Sequence, residues 1–599
     1  MAFFQRQRVK PAFPGLDDKP MLRQARLPKL RHGRADIIYA SGALNVLALA
    51  LPIMILQVYD RIIPNNATET LLLLVIGVGI AVIFEACFRL ARSYLTARAG
   101  ASFEHIAGCR ALHRTLGTDI VRFEKEATGV YLHRFNAIES LREFMSGHSL
   151  LVFIDLPFAF IFMFLVGFIA GPLIFVPLIL LVIFAFVTLA VGHGLKKALN
   201  DRSVWDERRY NFLIEVLTGI HTVKGLALEA QMVRRYERLQ ETTANVIRNV
   251  AFKNNIAQSL GTIFSQITLV AVAAYGSVLV INESLTIGGL AACTLLSGRA
   301  LQPLLRAMGV WTHYQNIKLS QERVKAILEL PQEKISDPAE ESKSPATVPI
   351  PVPQTGSQIE LEDVTFGYGG NTSPLFEKVN ATFTAGKTTA ISGANGSGKT
   401  TLLWLMMGLI TPQSGRVLLN GVDIAKADPI KVRQHIAYLP QTGIVFHGTI
   451  MENLTMFRRG PIVDEAVKQC KTLGLDSVIK RLPKGYDTVI GEGAMDSLPG
   501  GVRQRIAIAR AIVTKPEVIL FDEANTSLDM SGDEILKNAL LQLKDQSTII
   551  LVSHRPSLLK ISDSGYKIQN RNVVATPIEN LTSFRPAATA PKLEVVSAQ

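Results

Sequence analysis

The stretch ISGANGSGKTTLL, residues 391–403, matches G-x-x-x-x-G-K-[ST] from Gly393 to Thr400. It follows an apolar, strand-like run and opens a helix-like one, the context such a loop needs. The glycines let backbone N–H groups wrap a β-phosphate. Lys399 supplies a point charge to the β- and γ-phosphates, and the Thr400 hydroxyl is placed to hold Mg²⁺. The candidate nucleotide-binding segment is therefore Gly393, Ala394, Asn395, Gly396, Ser397, Gly398, Lys399, Thr400 and Thr401.

Further parts follow in order. In VILFDEANTSLD (518–529) a buried strand ends at Asp522, whose carboxylate can hold the metal through its water shell. Glu523 stands just beyond the strand, where a carboxylate polarises an attacking water as general base. The plainer alternative is a strand followed by an acidic turn. Gln441 and His554 each follow an apolar run and would sit at a strand's carboxyl end, where open α/β sheets bind ligands. Alone, either is as well explained structurally. Tyr368, 25 residues before Gly393, offers its ring to a purine or belongs to the core.

SLPGGVRQRIAIAR (497–510) sets a question. Its Gly500-Gly501 pair opens into a basic amphipathic run, a way to present N–H groups to a phosphate. Pro499, just before the glycines, has neither a hydroxyl nor an N–H. Either phosphate binding here is weakened, or Pro499 only pre-forms the helix entry.

These residues need a scaffold. Residues 358–572 alternate strand-like and helix-like segments, an α/β pattern. Before them, 331–357 are rich in Pro, Ser, Glu and Lys and read as a linker. Residues 573–599 read as a disordered tail. The chain is 48% hydrophobic and 19% charged, too apolar for an ordinary soluble protein. The excess lies within 37–310, where six stretches are long enough to span a bilayer, near 37–58, 69–91, 149–169, 172–193, 258–281 and 286–307. Gly171-Pro172 separates the third and fourth and predicts a hairpin.

The net charge of +13 raises the prospect of nucleic acid, but its placement argues for a membrane. Segment 1–36 carries nine Lys and Arg, segment 92–148 eight and segment 194–257 eleven. The loop between spans one and two carries only Arg61. Both termini and both long connections are thus expected to be cytoplasmic. The connections read as helical, with arms of ~25 residues projecting ~35–40 Å. Four scattered cysteines, with no CxxC pair, suggest neither disulfides nor zinc. No cleavable signal is expected in the basic first 36 residues.

Six spans followed by this set of motifs resembles an ATP-binding-cassette exporter half-transporter, from about residue 30 to 570. The resemblance implies a six-helix membrane domain of the type I exporter fold joined to an α/β P-loop domain, and ATP hydrolysis coupled to transport. It implies that two chains pair, with ATP between the Gly-rich loop of one cassette and the signature loop of the other. By match, Tyr368 resembles the adenine-stacking aromatic. Gln441 resembles the glutamine that senses the metal beside Thr400 and Asp522 and couples to the membrane domain. His554 resembles the switch histidine at the γ-phosphate. Ser527, Leu528 and Asp529 resemble the loop communicating across the dimer. The family's signature is usually Leu-Ser-Gly-Gly-Gln; here it is Leu498-Pro499-Gly500-Gly501-Val502, without the serine hydroxyl and the glutamine amide.

The stretches ILQVYDRIIPNNATETLLLL (55–74), FIDLPFAFIF (153–162) and FLIEVLTGIHTVKGLALE (212–229) are similar to type I secretion transporters of Gram-negative bacteria. That likeness implies an inner-membrane exporter of an unfolded polypeptide, working with a periplasmic adaptor and an outer-membrane duct. With only about 36 residues before the first span, no N-terminal peptidase domain is expected. A homodimer would carry two defective signatures, whereas a heterodimer would retain one competent site. A nucleotide-binding regulatory subunit and an exporter of lipids or small molecules share the same cassette residues. Asp155, inside span three, is by default a functional candidate, or supports a kink beside Pro157.

Overall fold

The computed structural model describes residues 34–146, 148–333, 356–369, 373–491 and 498–582. Most of the expected N-terminal segment, linker and tail lies outside the described residues. The chain divides into two units, 1–118 with 122–331, and 119–121 with 332–599.

The first unit is helical. Its helices are α1 (Arg34–Leu47), α2 (Ala50–Gln57), α3 (Thr68–Leu116), α4 (Ile120–Phe123, which begins in the second unit), α5 (Thr128–Ser146) and α6 (His148–Ala170). They continue with α7 (Phe175–Thr218), α8 (Ile220–Gly225), α9 (Glu229–Ile281) and α10 (Ile287–Leu328). Four described stretches are long and apolar enough to cross a membrane: Ala35–Asn65, Thr68–Leu116, Leu151–Val187 and Glu229–Ile281. The third takes in both expected spans around Gly171. The sixth expected span forms the start of α10.

Three details differ from the sequence-based picture. The connections are not separate arms, because α3, of 49 residues, runs unbroken from apolar span into polar extension. At 1.5 Å per residue it is about 73 Å long. Nothing between residues 91 and 104 removes a backbone donor, so the i→i−4 ladder continues. The hairpin expected at Gly171-Pro172 is a turn with Gly171 at φ +53° and a 3₁₀ segment, Gly171–Ile174. The helices beyond it pack on different partners, α6 on α10 and α7 on α9. The first span is broken at Ala48–Leu49 because Pro52 offers no N–H to the carbonyl four residues earlier. Phe162, Val166, Leu173, Val272, Cys293 and Leu296 form one apolar core of this unit.

The second unit holds two main sheets. Strands β1 (Ile359–Phe366), β2 (Phe376–Phe383), β4 (Ser414–Leu419) and β5 (Val422–Asp423) form an antiparallel sheet in the order β2-β1-β4-β5. The other sheet contains β3 (Thr388–Gly393), β6 (Ile436–Leu439), β9 (Val518–Asp522), β10 (Thr548–Val552), β11 (Ser564–Gln569) and β12 (Asn572–Ala575). Its order is β12-β11-β3-β10-β9-β6, parallel except for β12 at the edge. Strands β7 (Gly448–Thr449) and β8 (Val489–Ile490) pair separately. Strands β9 and β10 are buried throughout, hence their unbroken apolar sequences. The helices that matter here are α11 (Lys399–Met406), α12 (Gly500–Ile512) and α13 (Met530–Leu543).

The domain does not stop at residue 572. It continues through β12 into α14 (Ile578–Thr582), whose Leu581 packs with Ala390 and Leu559. Burial of Val573 and Leu581 holds these residues in the fold. At the other end, Ser357 is already fully buried. Residues Ile120 and Val121, which count with this unit, pack against its core.

Candidate nucleotide site

Parallel register brings the chemistry together. Val552 pairs with both Asp522 and Ile391, so β3, β9 and β10 end side by side. The Gly-rich loop leaves β3, Glu523 follows β9, and His554 lies two residues beyond β10.

In the loop, Gly396 and Gly398 take φ of +78° and +98°. A Cβ on Gly398 would also meet the Phe376 ring at 2.8 Å. Lys399 folds back, donating from Nζ to the carbonyls of Gly393 at 3.1 Å and Ala394 at 3.3 Å. The Ser397 hydroxyl is buried without a hydrogen-bond partner. A charged amine turned onto its own loop, an unpaired buried hydroxyl and the N-terminus of α11 fit a phosphate group.

Glu523 is the hub. Its backbone is left-handed at φ +48°, held by its N–H donating to Val552 O at 2.9 Å. Oε1 lies 3.1 Å from His554 Nε2 and 3.8 Å from Lys399 Nζ, and Oε2 accepts from Gln441 Nε2 at 3.4 Å. Asp522 is buried, and burial pushes its carboxyl above the usual range. Hydrogen bonds from Thr400 and Tyr438 oppose that shift, while Glu523 adds to it. The Tyr438 hydroxyl donates to Asp522 Oδ2 at 2.9 Å. Burial and then Asp522 push the Tyr438 phenol upward, with Trp404 opposing, so it stays a donor. A buried acid beside a second acid and the Thr400 hydroxyl is a donor set that fits a hard divalent cation.

Tyr368 is partly exposed. Its hydroxyl is 3.0 Å from Thr401 Oγ1, and its ring meets Phe366 edge-on. The ring is thus anchored beside the loop with a surface left to stack on.

The signature segment has another character. Pro499 is the N-cap of α12 with no side-chain cap bond; its carbonyl accepts from Val502 N at 2.9 Å and Arg503 N at 3.1 Å. Val502 and Leu498 are buried in the apolar core, so position 502 does not present a side chain to a ligand. An amide there would be desolvated. A Cβ on Gly501 would approach Ser527 O to 3.2 Å, so this segment lies against the 527–529 loop. Ser527 is exposed and Leu528 buried. Asp529 caps α13 by accepting from Gly532 N at 2.8 Å.

Sequence reasoning missed three residues. Tyr438 is one. Buried Gln504 accepts from Gly443 N at 2.7 Å and donates to Pro440 O at 3.1 Å, clamping the Gln441 loop onto α12. Buried Asp533 accepts from Asn525 at 3.0 Å and Ser557 at 2.7 Å, and pairs with Arg555 at 3.2 Å. Arg555 in turn donates to Leu528 O at 2.9 Å. A polar residue on the buried face of an amphipathic run was the available signal for Gln504.

In the first unit, Asp155 accepts from Asn45 Nδ2 at 3.1 Å and lies 3.3 Å from Arg92 through both oxygens. Arg306 is 3.9 Å away, and Arg92 also donates to Ser41 Oγ at 3.2 Å. Helix α6 is continuous through Pro157. Asp155 therefore ties helices together.

The family model described as "ABC transporter transmembrane region" matches residues 37–304, and the one described as "ABC transporter" matches 376–526. The cyclolysin secretion/processing ATP-binding protein CyaB of Bordetella pertussis is 29% identical over 90% of this chain and 74% of its own length. The alpha-hemolysin translocation ATP-binding protein HlyB of Escherichia coli O157:H7 is 28% identical, over 90% and 75%. The leukotoxin export ATP-binding protein LtxB of Aggregatibacter actinomycetemcomitans is 28% identical, over 88% and 73%. Among solved structures, a bacterial Atm1-family ABC exporter with ATP bound superposes with a TM-score of 0.79. It is 21% identical, over 92% of this chain and 97% of that one, a likeness of fold.

Proposed function

Because this chain belongs to the ABC transporters, as an exporter half-transporter with a membrane region and an ATP-hydrolysing cassette, we propose that it drives a type I protein secretion system. The observation that carries the proposal is its similarity, across both units, to proteins named for toxin secretion and export. On this reading it lies in the bacterial inner membrane with both termini cytoplasmic. It pairs with a second half-transporter, engages a periplasmic adaptor and an outer-membrane duct, and passes an unfolded polypeptide.

In the cassette, the Gly-rich loop and Lys399 hold the phosphates of ATP, and Tyr368 stacks on the base. Thr400, Asp522 and Gln441 would hold Mg²⁺, which supplies charge to the phosphates. Glu523 accepts the proton of the attacking water, and His554 and Gln441 aim its carboxylate.

Glu523→Gln should abolish both ATP turnover and release of a polypeptide carrying an RTX-type secretion signal. Continued secretion in cells with no other such transporter would overturn the proposal. ATP turnover raised by lipid and not by the secretion signal would favour an exporter of lipids or small hydrophobic molecules.

Pro499 favours a second reading, of partnership. The signature segment supplies no hydroxyl, so pairing with a different half-transporter would leave one competent and one weak ATP site. A stable homodimer with brisk turnover would remove it. A nucleotide-binding regulatory subunit would bind ATP and hydrolyse it little, and comparing ATP binding with turnover separates that case.

A further inference from the structure

The stretch ILQVYDRIIPNNATETLLLL contains a carboxylate that the ATP chemistry does not use. Asp60 lies in a π-helical segment, Val58–Ile62, that follows α2. Its Oδ2 accepts from Thr286 Oγ1 at 2.7 Å, and its Oδ1 accepts from the Gly288 backbone N–H at 2.9 Å. Thr286 is itself the N-cap of α10, accepting from Gly289 N at 2.9 Å. Asp60 thus satisfies an orphan donor at the start of a helix more than two hundred residues away. An acid at a helix N-terminus is also favoured by the helix dipole. The approach is close: a Cβ on Gly288 would fall 2.5 Å from Asp60 Oδ1 and 2.7 Å from Leu56 O. Only glycine at 288 admits this contact.

A second polar clasp joins the same two helical regions. Ser41 and Asn45 on α1 meet the Arg92–Asp155 pair, and Arg306 on α10 approaches Asp155. Along α10, Gly288 and Arg306 are about 27 Å apart at 1.5 Å per residue. Polar contacts therefore fasten span one to α10 at two well-separated levels.

We infer that Asp60 is a positioning residue. It pins the turn after span one to the start of α10, so the two move as one body when the cassette binds ATP. It takes no part in the phosphate chemistry.

The test uses the full chain, its four cysteines replaced, in lipid nanodiscs. Spin labels are attached at Ile63→Cys and Ile287→Cys, both exposed positions. The short distance should be narrow, and the same without nucleotide and with a nonhydrolysable ATP analogue. Asp60→Ala should broaden it at least two-fold while the KM for ATP stays unchanged. Asp60→Asn, which keeps an acceptor for Gly288, should stay narrow. Should Asp60→Ala fail to fold, Thr286→Val, which removes the hydroxyl donor, should give a partial broadening. A wild-type distance that differs between the two states overturns the inference. So does a distance left narrow by both Asp60→Ala and Thr286→Val.

Discussion

Two buried carboxylates, Asp155 in the membrane unit and Asp522 in the cassette, keep opposite company. Asp155 faces the Arg92 guanidinium through both oxygens, with an amide from Asn45. Asp522 faces hydroxyls and a second acid, and the nearby Lys399 ammonium lies against Glu523. One charge is already matched inside the fold. The other is met by hydroxyl donors and only the more distant charge of Lys399, company that suits a ligand site. Burial alone would have placed both in one class.

The largest expected effect tests the cassette side. Glu523→Gln should lower ATP turnover by roughly 10²–10⁴-fold, the usual worth of a general base. Nucleotide binding, followed with a fluorescent ATP analogue, should survive. Turnover within ten-fold of wild type would remove Glu523 from the chemistry.

Next in size, Asp155→Ala should cost up to about 3–5 kcal/mol of stability, because the half-buried Arg92 loses its carboxylate and keeps only the Ser41 hydroxyl. Thermal unfolding in detergent reads this. Adding Arg92→Met should recover part of the loss. If ATP turnover fell while the unfolding midpoint held, Asp155 would belong to the working machinery after all.

A smaller gain is expected at the signature. Pro499→Ser adds a donor toward a phosphate, worth about 1.5–3 kcal/mol, or roughly ten-fold or more in turnover if the site across the dimer is limiting. Val502→Gln should instead destabilise the cassette, since position 502 is buried. Unchanged turnover in Pro499→Ser would leave Pro499 as a helix-entry residue.

The smallest effect separates Asp522 from Asp155 by pH. The folded-state pKa of Asp522 lies above its unfolded value, so the folded chain binds more protons between the two. Metal-free stability from this group is thus greatest below the unfolded value and falls as pH rises through that window. Asp522→Asn should flatten this component of the curve in denaturant titrations. Tyr438→Phe, which removes a donor worth about 1 kcal/mol, should shift the Mg²⁺ half-saturation a few-fold. An unshifted Mg²⁺ response would show that the hydroxyl does not tune the metal site.

Much of the site was legible because its parts are local. The Gly-rich loop, the acidic strand end and the strand-end Gln441 and His554 are each written within about ten residues. Tyr438 was not legible, and for Gln504 only its place on a buried face was, because their partners lie 84 and 64 residues away. Apolar length also marked stretches that the fold keeps as long apolar helices. It did not show that α3 continues unbroken into its extension, nor that α6 and α7 part after Gly171. Those outcomes depend on which helix faces find partners.

The sequence by itself determined which residue types stand at which strand ends, since apolar runs, glycines and their spacing are properties of short segments. It therefore determined the nucleotide chemistry and the membrane class. The tertiary structure alone decided which charges are neutralised and which remain open. Asp60 and Asp155 look alike in sequence to any carboxylate beside an apolar run. Only the meeting of distant helices supplies Gly288 and Thr286 to one and Arg92 to the other. A charge's energy depends on its neighbours in space, and those are set by packing.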